Sequence, residues 1–168
     1  MGKKKTRTPG AKKSKTVDQS QQMDLAAIVS GRVQIRSLIL AEVTARRSPS
    51  AGVVGKDAQV ELGTEEIGYA IDAEEKRIVV TPSFRLDVRK EGLQAPTLSI
   101  QAKFVISYSL DKLDDLNQEH VEAFAGTNGV YNAWPYWREF VQSTIARMGL
   151  PPLTIPVFRL PSSDETER

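Results

Sequence analysis

Two successive stretches alternate apolar and polar residues, and that pattern restricts the chain to a sheet-based fold. In "KRIVVTPSFRLDVRK" (76–90), Ile78, Val80, Phe84, Leu86 and Val88 face one way. Arg77, Thr81, Ser83, Arg85, Asp87 and Arg89 face the other. "TLSIQAKFVISYSL" (97–110) repeats the pattern with Leu98, Ile100, Ala102, Phe104, Ile106 and Tyr108. A period of two is that of a strand with one buried face. The short "EGLQAP" between them reads as a hairpin loop. Pro82 has no N–H for a ladder, so its strand is expected at a sheet edge or with a bulge.

Two further strands precede these. In "RVQIRSLILAEVTARR" (32–47), Val33, Ile35, Ile39 and Val43 share one parity, while Leu38 and Leu40 take the other. The strand is therefore expected to be apolar on both faces near its middle. "SPSAGVVGK" breaks it with Pro49, Gly52 and Gly55. "AQVELGTEEIGYAID" (58–72) is interrupted at Gly63 and Gly68, as at bulges or close backbone approaches. "MDLAAIVSG" (23–31) fits either a short helix or a lead-in.

After residue 111 the period changes to helical. Asp115 and Gln118 are spaced as a capping box for a short helix carrying Val121, Phe124 and Ala125, which Gly126 and Gly129 should end. In "AWPYWREF" (133–140), Pro135 suits the first turn of a second, longer helix. At 100° per residue, Trp134, Trp137, Phe140, Val141, Thr144, Ile145 and Met148 share one arc. Arg138, Glu139, Gln142, Ser143, Ala146 and Arg147 lie opposite. Gly149 is placed to end the helix. "LPPLTIPVFRLP" (150–161) has too many prolines for a helix and reads as an extended apolar arm. The whole is an α+β chain, with a four-stranded antiparallel sheet followed by a short and a long helix.

Four such strands make a sheet of roughly 40 Å by 19 Å. The long helix, roughly 21 Å by 10 Å, covers only part of one face. Each large apolar side chain left wet forgoes roughly 1.5–3 kcal/mol. The uncovered stripes should therefore meet another copy of the chain, a client polypeptide, or both.

Charge divides the chain further. Residues 1–22 carry seven bases against Asp18, although the whole chain is only +2. This segment is nearly free of apolar residues and is expected to be a disordered basic arm. The domain would then span 23–161, and 162–168 would be a short acidic tail. No aromatic residue interleaves the bases, which argues against a nucleic-acid reading of the arm.

Chemistry is sparse. There is no cysteine, which fits a reducing cytoplasm and excludes thiol catalysis. The single histidine, His120, has no catalytic context. Glu65-Glu66 and Asp114-Asp115 are adjacent carboxylates of the kind found on solvated turns. No phosphate-binding loop, metal spacing, secretory signal or membrane span is visible. The expectation is a protein without enzymatic activity or cofactor.

At 128–159 the chain reads "NGVYNAWPYWREFVQSTIARMGLPPLTIPVFR", which resembles the SecB family of export chaperones. The resemblance rests on Trp134, Pro135, Tyr136, Arg138 and Glu139 entering a long helix. Arg147 and Gly149 close it, and Pro151, Pro152, Leu153, Ile155, Pro156 and Val157 follow. Gly126 also matches, and the four-strand order agrees. The resemblance implies sheets and helices that assemble into a homotetramer, a dimer of dimers. It also implies an ATP-independent holdase that keeps preproteins unfolded in apolar grooves for the Sec translocase motor. Where typical members carry a second helix and an acidic tail, this chain has "LPSSDETER". One variation in the family is a chaperone dedicated to an antitoxin, which is the alternative reading. A nucleic-acid-associated scaffold using the basic arm is another.

On this reading a client groove is lined by Val60, Leu62, Ile67 and Tyr69 of the glycine-interrupted strand and by Leu153, Ile155, Phe158 and Leu160 of the arm. Trp134, Trp137 and Phe140 belong to the core and a helix interface, together with Pro135 and Tyr136. Arg138 and Glu139 are expected to pair across a contact between subunits.

Overall fold

The computed structural model describes residues 19–48 and 58–159. Helix α1 (Gln19–Ser30) leads into β1 (Val33–Arg47), and β2 (Ala58–Asp72), β3 (Arg77–Lys90) and β4 (Leu98–Leu110) follow. Helix α2 (Gln118–Phe124) and helix α3 (Val130–Arg147) close the domain, and residues 150–159 form the extended arm. The four strands make one antiparallel sheet in the order β1-β4-β3-β2. Both sequence-neighbour hairpins, β2–β3 and β3–β4, are present. In the β2–β3 turn, the Glu75 backbone N–H and the Arg77 guanidinium hold the Asp72 carboxyl below its ordinary pKa.

The alternating residues of β3 and β4 form the core as their pattern predicts. Ile78, Val80, Phe84, Leu86 and Val88 are buried, as are Leu98, Ile100, Ala102, Phe104, Ile106 and Tyr108. Against them α3 buries Val130, Ala133, Trp134, Trp137, Val141 and Ile145. Trp137 stacks on Phe84 at 5.6 Å between ring centroids, with an interplanar angle of 20°. Phe84 in turn meets Phe104 and Trp134 edge-on. Aromatic contacts of this kind add about 0.5–1.5 kcal/mol beyond the area they bury. Tyr108 packs on Phe124 and accepts a hydrogen bond from Asn132, while its burial pushes the phenol pKa up.

Several local expectations are corrected. Pro82 lies in β3, an interior strand. The β3–β4 ladder keeps its register across it, but neither Thr81 nor Pro82 pairs with β4. The missing proline N–H is thus accommodated by a gap in the ladder, next to a bulge in β2 between Thr64 and Glu66. In β1 the bulges fall between Ile35 and Ser37 and between Leu40 and Glu42. Each bulge resets the alternation. Val33, Ile35, Leu38, Leu40 and Val43 therefore pair with Leu110, Tyr108, Ile106, Phe104 and Ala102, all on the helix-bearing face, and only Ile39 turns away. The strand is not apolar on both faces.

The helices also differ from expectation. Helix α1 begins at Gln19, so Gln19–Gln22 belong to a helix rather than to the basic arm, and Ala26 and Val29 anchor it in the core. The arm proper, residues 1–18, lies outside the described residues, as does the acidic tail. The cap of α2 is Asn117 rather than Asp115, and its capping-box partner is His120. Asp115 instead takes a left-handed turn at φ +65°. Gly126 and Gly129 do not end the helix, because a π-helical turn at Ala125–Gly129 carries α2 directly into α3. Pro135 is consequently inside α3 rather than in its first turn, and has no N–H to offer the Tyr131 carbonyl. Gly149 does end α3, at φ +67°. The Gly149 and Leu150 N–H groups donate to the Ala146 and Ile145 carbonyls.

Gly129 is needed for proximity rather than for termination. A Cβ there would sit 2.6 Å from Val80 Cγ1, in a fully buried contact between helix and strand. Gly129→Ala should therefore destabilise the fold by about 1–2 kcal/mol in urea titrations, overpacking outweighing alanine's better helix propensity. Unchanged or increased stability would mean the helix does not depend on this approach.

Candidate polypeptide-binding surface

The two faces of the sheet differ in kind. The face away from the helices carries ion pairs: Arg77–Asp72 at 2.9 Å, Arg85–Glu65 at 3.2 Å and Arg85–Asp87 at 2.9 Å. Arg89 pairs with Glu61 and Asp87, and Lys103 lies 3.8 Å from Glu42. The pairs whose partners are both exposed stabilise little, whereas Asp87, held between Arg85 and Arg89, is itself buried beneath them. Apolar surface accumulates instead on the helix-bearing face, beyond the two central strands that α3 covers.

On β2 that surface consists of Val60, Leu62, Ile67, Tyr69 and Ile71, opposite Val88, Leu86, Pro82, Val80 and Ile78 of β3. Val60 and Leu62 have one parity, Ile67 and Tyr69 the other. They share a face because Glu65 is the extra residue of the bulge, and its carboxylate accepts hydrogen bonds from Arg85 and Gln101. Gly68 is a point of close approach, where a Cβ would lie 2.5 Å from Thr81 Oγ1. Val60 and Ile71 are 46% and 40% exposed, whereas Leu62, Ile67 and Tyr69 are half-buried against the core. The Tyr69 hydroxyl accepts from Gln118 at 3.1 Å and donates to Glu122 at 3.5 Å, which ties β2 to α2.

The arm runs back along α3. Leu150, Pro151, Pro152 and Leu153 close an apolar cleft of about 160 Å³ over Val60, Val88, Leu98 and Ile145. Further on, Arg138 Nε donates to the Ile155 carbonyl at 2.9 Å, and Trp134 Nε1 donates to the Pro156 carbonyl at 2.8 Å. Phe158 lies against Trp134 at 5.3 Å between centroids. Val60 and Leu153 thus come together as lining residues, whereas Phe158 is half-buried further along the arm, against Trp134. Ile155 does not line a groove: at 3% exposure it is part of the core. Leu160 lies outside the described residues.

Trp137 and Trp134 are core residues, and Phe140 is half-buried. Pro135, Tyr136 and Glu139 are exposed on α3. Arg138 is not turned away from the body of its own chain, since its guanidinium is engaged by the arm. Sequence periodicity placed it on the polar side of the wheel and gave no sign of this bond, because the partner is a main-chain carbonyl.

The opposite edge, β1, also carries open apolar surface. Ile35, Leu40 and Val43 are 50%, 43% and 54% exposed on the helix-bearing face. Their grouping was hidden by the bulges. The signal for it is two apolar pairs at odd spacing, Ile35/Leu38 and Leu40/Val43, within one strand.

The remaining polar candidates have structural partners. His120 Nδ1 lies 3.3 Å from the Asn117 backbone N–H and 2.6 Å from Asn117 Oδ1, within the cap of α2. The Asp114 carbonyl accepts from Arg32 at 2.6 Å. Among the described residues no three His, Cys, Asp or Glu side chains are grouped to hold a metal. No helix among them is long and apolar enough to cross a membrane.

No protein-family model matches the chain. Two curated relatives, the SecB-like chaperones Rv1957 and MT2006 of two Mycobacterium tuberculosis strains, are 32% identical over 76 residues. That match takes in 45% of this chain and spans 42% of the relatives' length. Among solved structures, the fold is similar to the Mycobacterium tuberculosis Rv1957 SecB-like chaperone in complex with a ChAD peptide from the Rv1956 HigA1 antitoxin. That similarity has a TM-score of 0.69 at 27% identity, and covers 83% of this chain and 99% of the other.

Proposed function

We propose that this chain, a divergent SecB-like protein by its fold and its relatives, is a holdase chaperone that binds non-native polypeptide without nucleotide. The observation that carries this reading is the apolar surface of β2 and the arm, left open on the helix-bearing face of a fold shared with a peptide-bound chaperone. Binding would draw on several apolar contacts of modest individual strength, and so would tolerate varied sequences. The likeness to a chaperone holding an antitoxin peptide supports a dedicated client of that kind better than it supports general delivery of preproteins to the Sec translocase.

The exposed stripe of β1 supports assembly. Ile35, Leu40 and Val43 lie beyond the cover of α3, and a second copy of the chain is the simplest way to dry them. A homotetramer built as a dimer of dimers is the proposed state. Leu40→Asp should lower the mass measured by sedimentation to that of a dimer or monomer with the fold retained. An unchanged mass would place the interface elsewhere.

Light scattering tests the chaperone reading itself. A denatured, slow-folding protein is diluted into buffer containing this chain and no nucleotide. Suppression of scattering at near-stoichiometric tetramer is expected. Undiminished aggregation in the presence of the folded, oligomeric chain would overturn the reading.

A further inference from the structure

The arm is held in an unusual way for a segment that lies mostly exposed along the fold and buries Ile155 alone. Pro151, Pro152 and Pro156 have no N–H to donate, and among the described residues no backbone–backbone hydrogen bond holds 151–159. Its position instead depends on α3 side chains that address main-chain carbonyls: Arg138 on Ile155, and Trp134 on the next carbonyl, Pro156. Around these bonds lie a slot that buries Ile155, the Trp134 ring that receives Phe158, and the cleft that receives Leu153.

Every element of this seat recognises features that any extended chain offers. The two donors read carbonyl groups, which carry no sequence information. The slot, the ring and the cleft read apolar side chains spaced along an extended backbone. The exposed β2 residue Val60 lines the same cleft, so the seat is continuous with the open apolar surface of β2.

We infer that the arm is a built-in stand-in for client, and that an extended polypeptide binds by displacing residues 153–158 from Trp134 and Arg138 and taking over their carbonyl-directed hydrogen bonds. This rests on the chaperone reading and specifies its site. Apparent affinity is then reduced by the fraction of time the arm is seated. Because arm and client use the same donor, loss of Arg138 weakens both, and the two effects oppose each other in the binding measured.

The test is a double-mutant cycle with a fluorescently labelled, extended apolar peptide of about ten residues, using the full chain. Phe158→Ala loosens the arm but leaves the seat intact, and should tighten binding roughly ten-fold. Arg138→Gln alone should change affinity little. Added to Phe158→Ala, it should weaken binding roughly ten-fold, because no seated arm remains to offset the lost charge-assisted bond. Phe158 is half-buried and Arg138 half-exposed, so both variants are expected to fold, and their urea midpoints verify it. Additive effects, or a Phe158→Ala chain that binds like the unmodified one, would overturn the inference while leaving the chaperone reading in place. Binding by the Phe158→Ala chain alone would support the inference, showing the seated arm to be a block. Absence of peptide binding in all four chains would overturn it, whereas failure of the chaperone reading is seen separately, as unsuppressed aggregation.

Discussion

The stack of Trp137 on Phe84 sets where α3 can lie, and most of the molecule's surface chemistry follows from that position. With Trp137 centred over the two interior strands, and Gly129 letting the backbone approach Val80, one helix covers the middle of the sheet and stops short of both edges. A chain of this size has one such helix to spend on a sheet whose four strands run 13 to 15 residues each. The apolar residues of β1 and β2 are therefore left to other partners. On the β2 side Tyr69 meets α2, and the chain's own proline-rich arm, held by side chains rather than by a ladder, closes a cleft over Val60. On the β1 side the described chain provides no cover over Ile35, Leu40 and Val43.

Bulges make this arrangement possible. A long regular strand keeps one parity, so an apolar stripe can be concentrated on one face only where the sequence itself alternates. In β1 and β2 it does not. The extra residues at the β1 and β2 bulges shift the phase instead, and they bring residues of both parities to the helix-bearing face. The face that results is apolar at both edges, while the opposite face keeps its ion pairs. A chain that holds other chains by apolar contact benefits from such a division, because its polar face stays solvated.

The strands were legible because β3 and β4 alternate regularly, and their bounds agree with the pattern to within a residue. The core face of α3 was legible for the same reason: its buried residues fall on the predicted arc. Features that depend on contacts distant in sequence were not legible. Gly126 and Gly129 look like helix breakers in isolation, yet Gly129 is explained by Val80, far away in β3. Pro82 reads as an edge or a bulge position, yet it sits in an interior strand through a local gap in the ladder, beside a bulge of β2. In the candidate site, Val60 and Leu153 were named from the sequence and meet in one cleft, whereas Ile71, the burial of Ile155 and the bonds from Trp134 and Arg138 were not foreseen. Those bonds reach main-chain carbonyls, which leave no signature in residue type. The aromatic-rich stretch inside α3 thus has two roles, Trp137 packing on the sheet, Arg138 holding the arm, and Trp134 touching both.

Amide hydrogen exchange of the chain with and without a bound unfolded client tests the central claim most directly, since it locates the client on the fold. The account predicts slower exchange along β2 between Val60 and Ile71, and faster exchange in the non-proline residues of 153–158 as the arm leaves its seat. Protection confined to the ion-paired face of the sheet, or an arm whose exchange is unchanged or slowed by client, would contradict it.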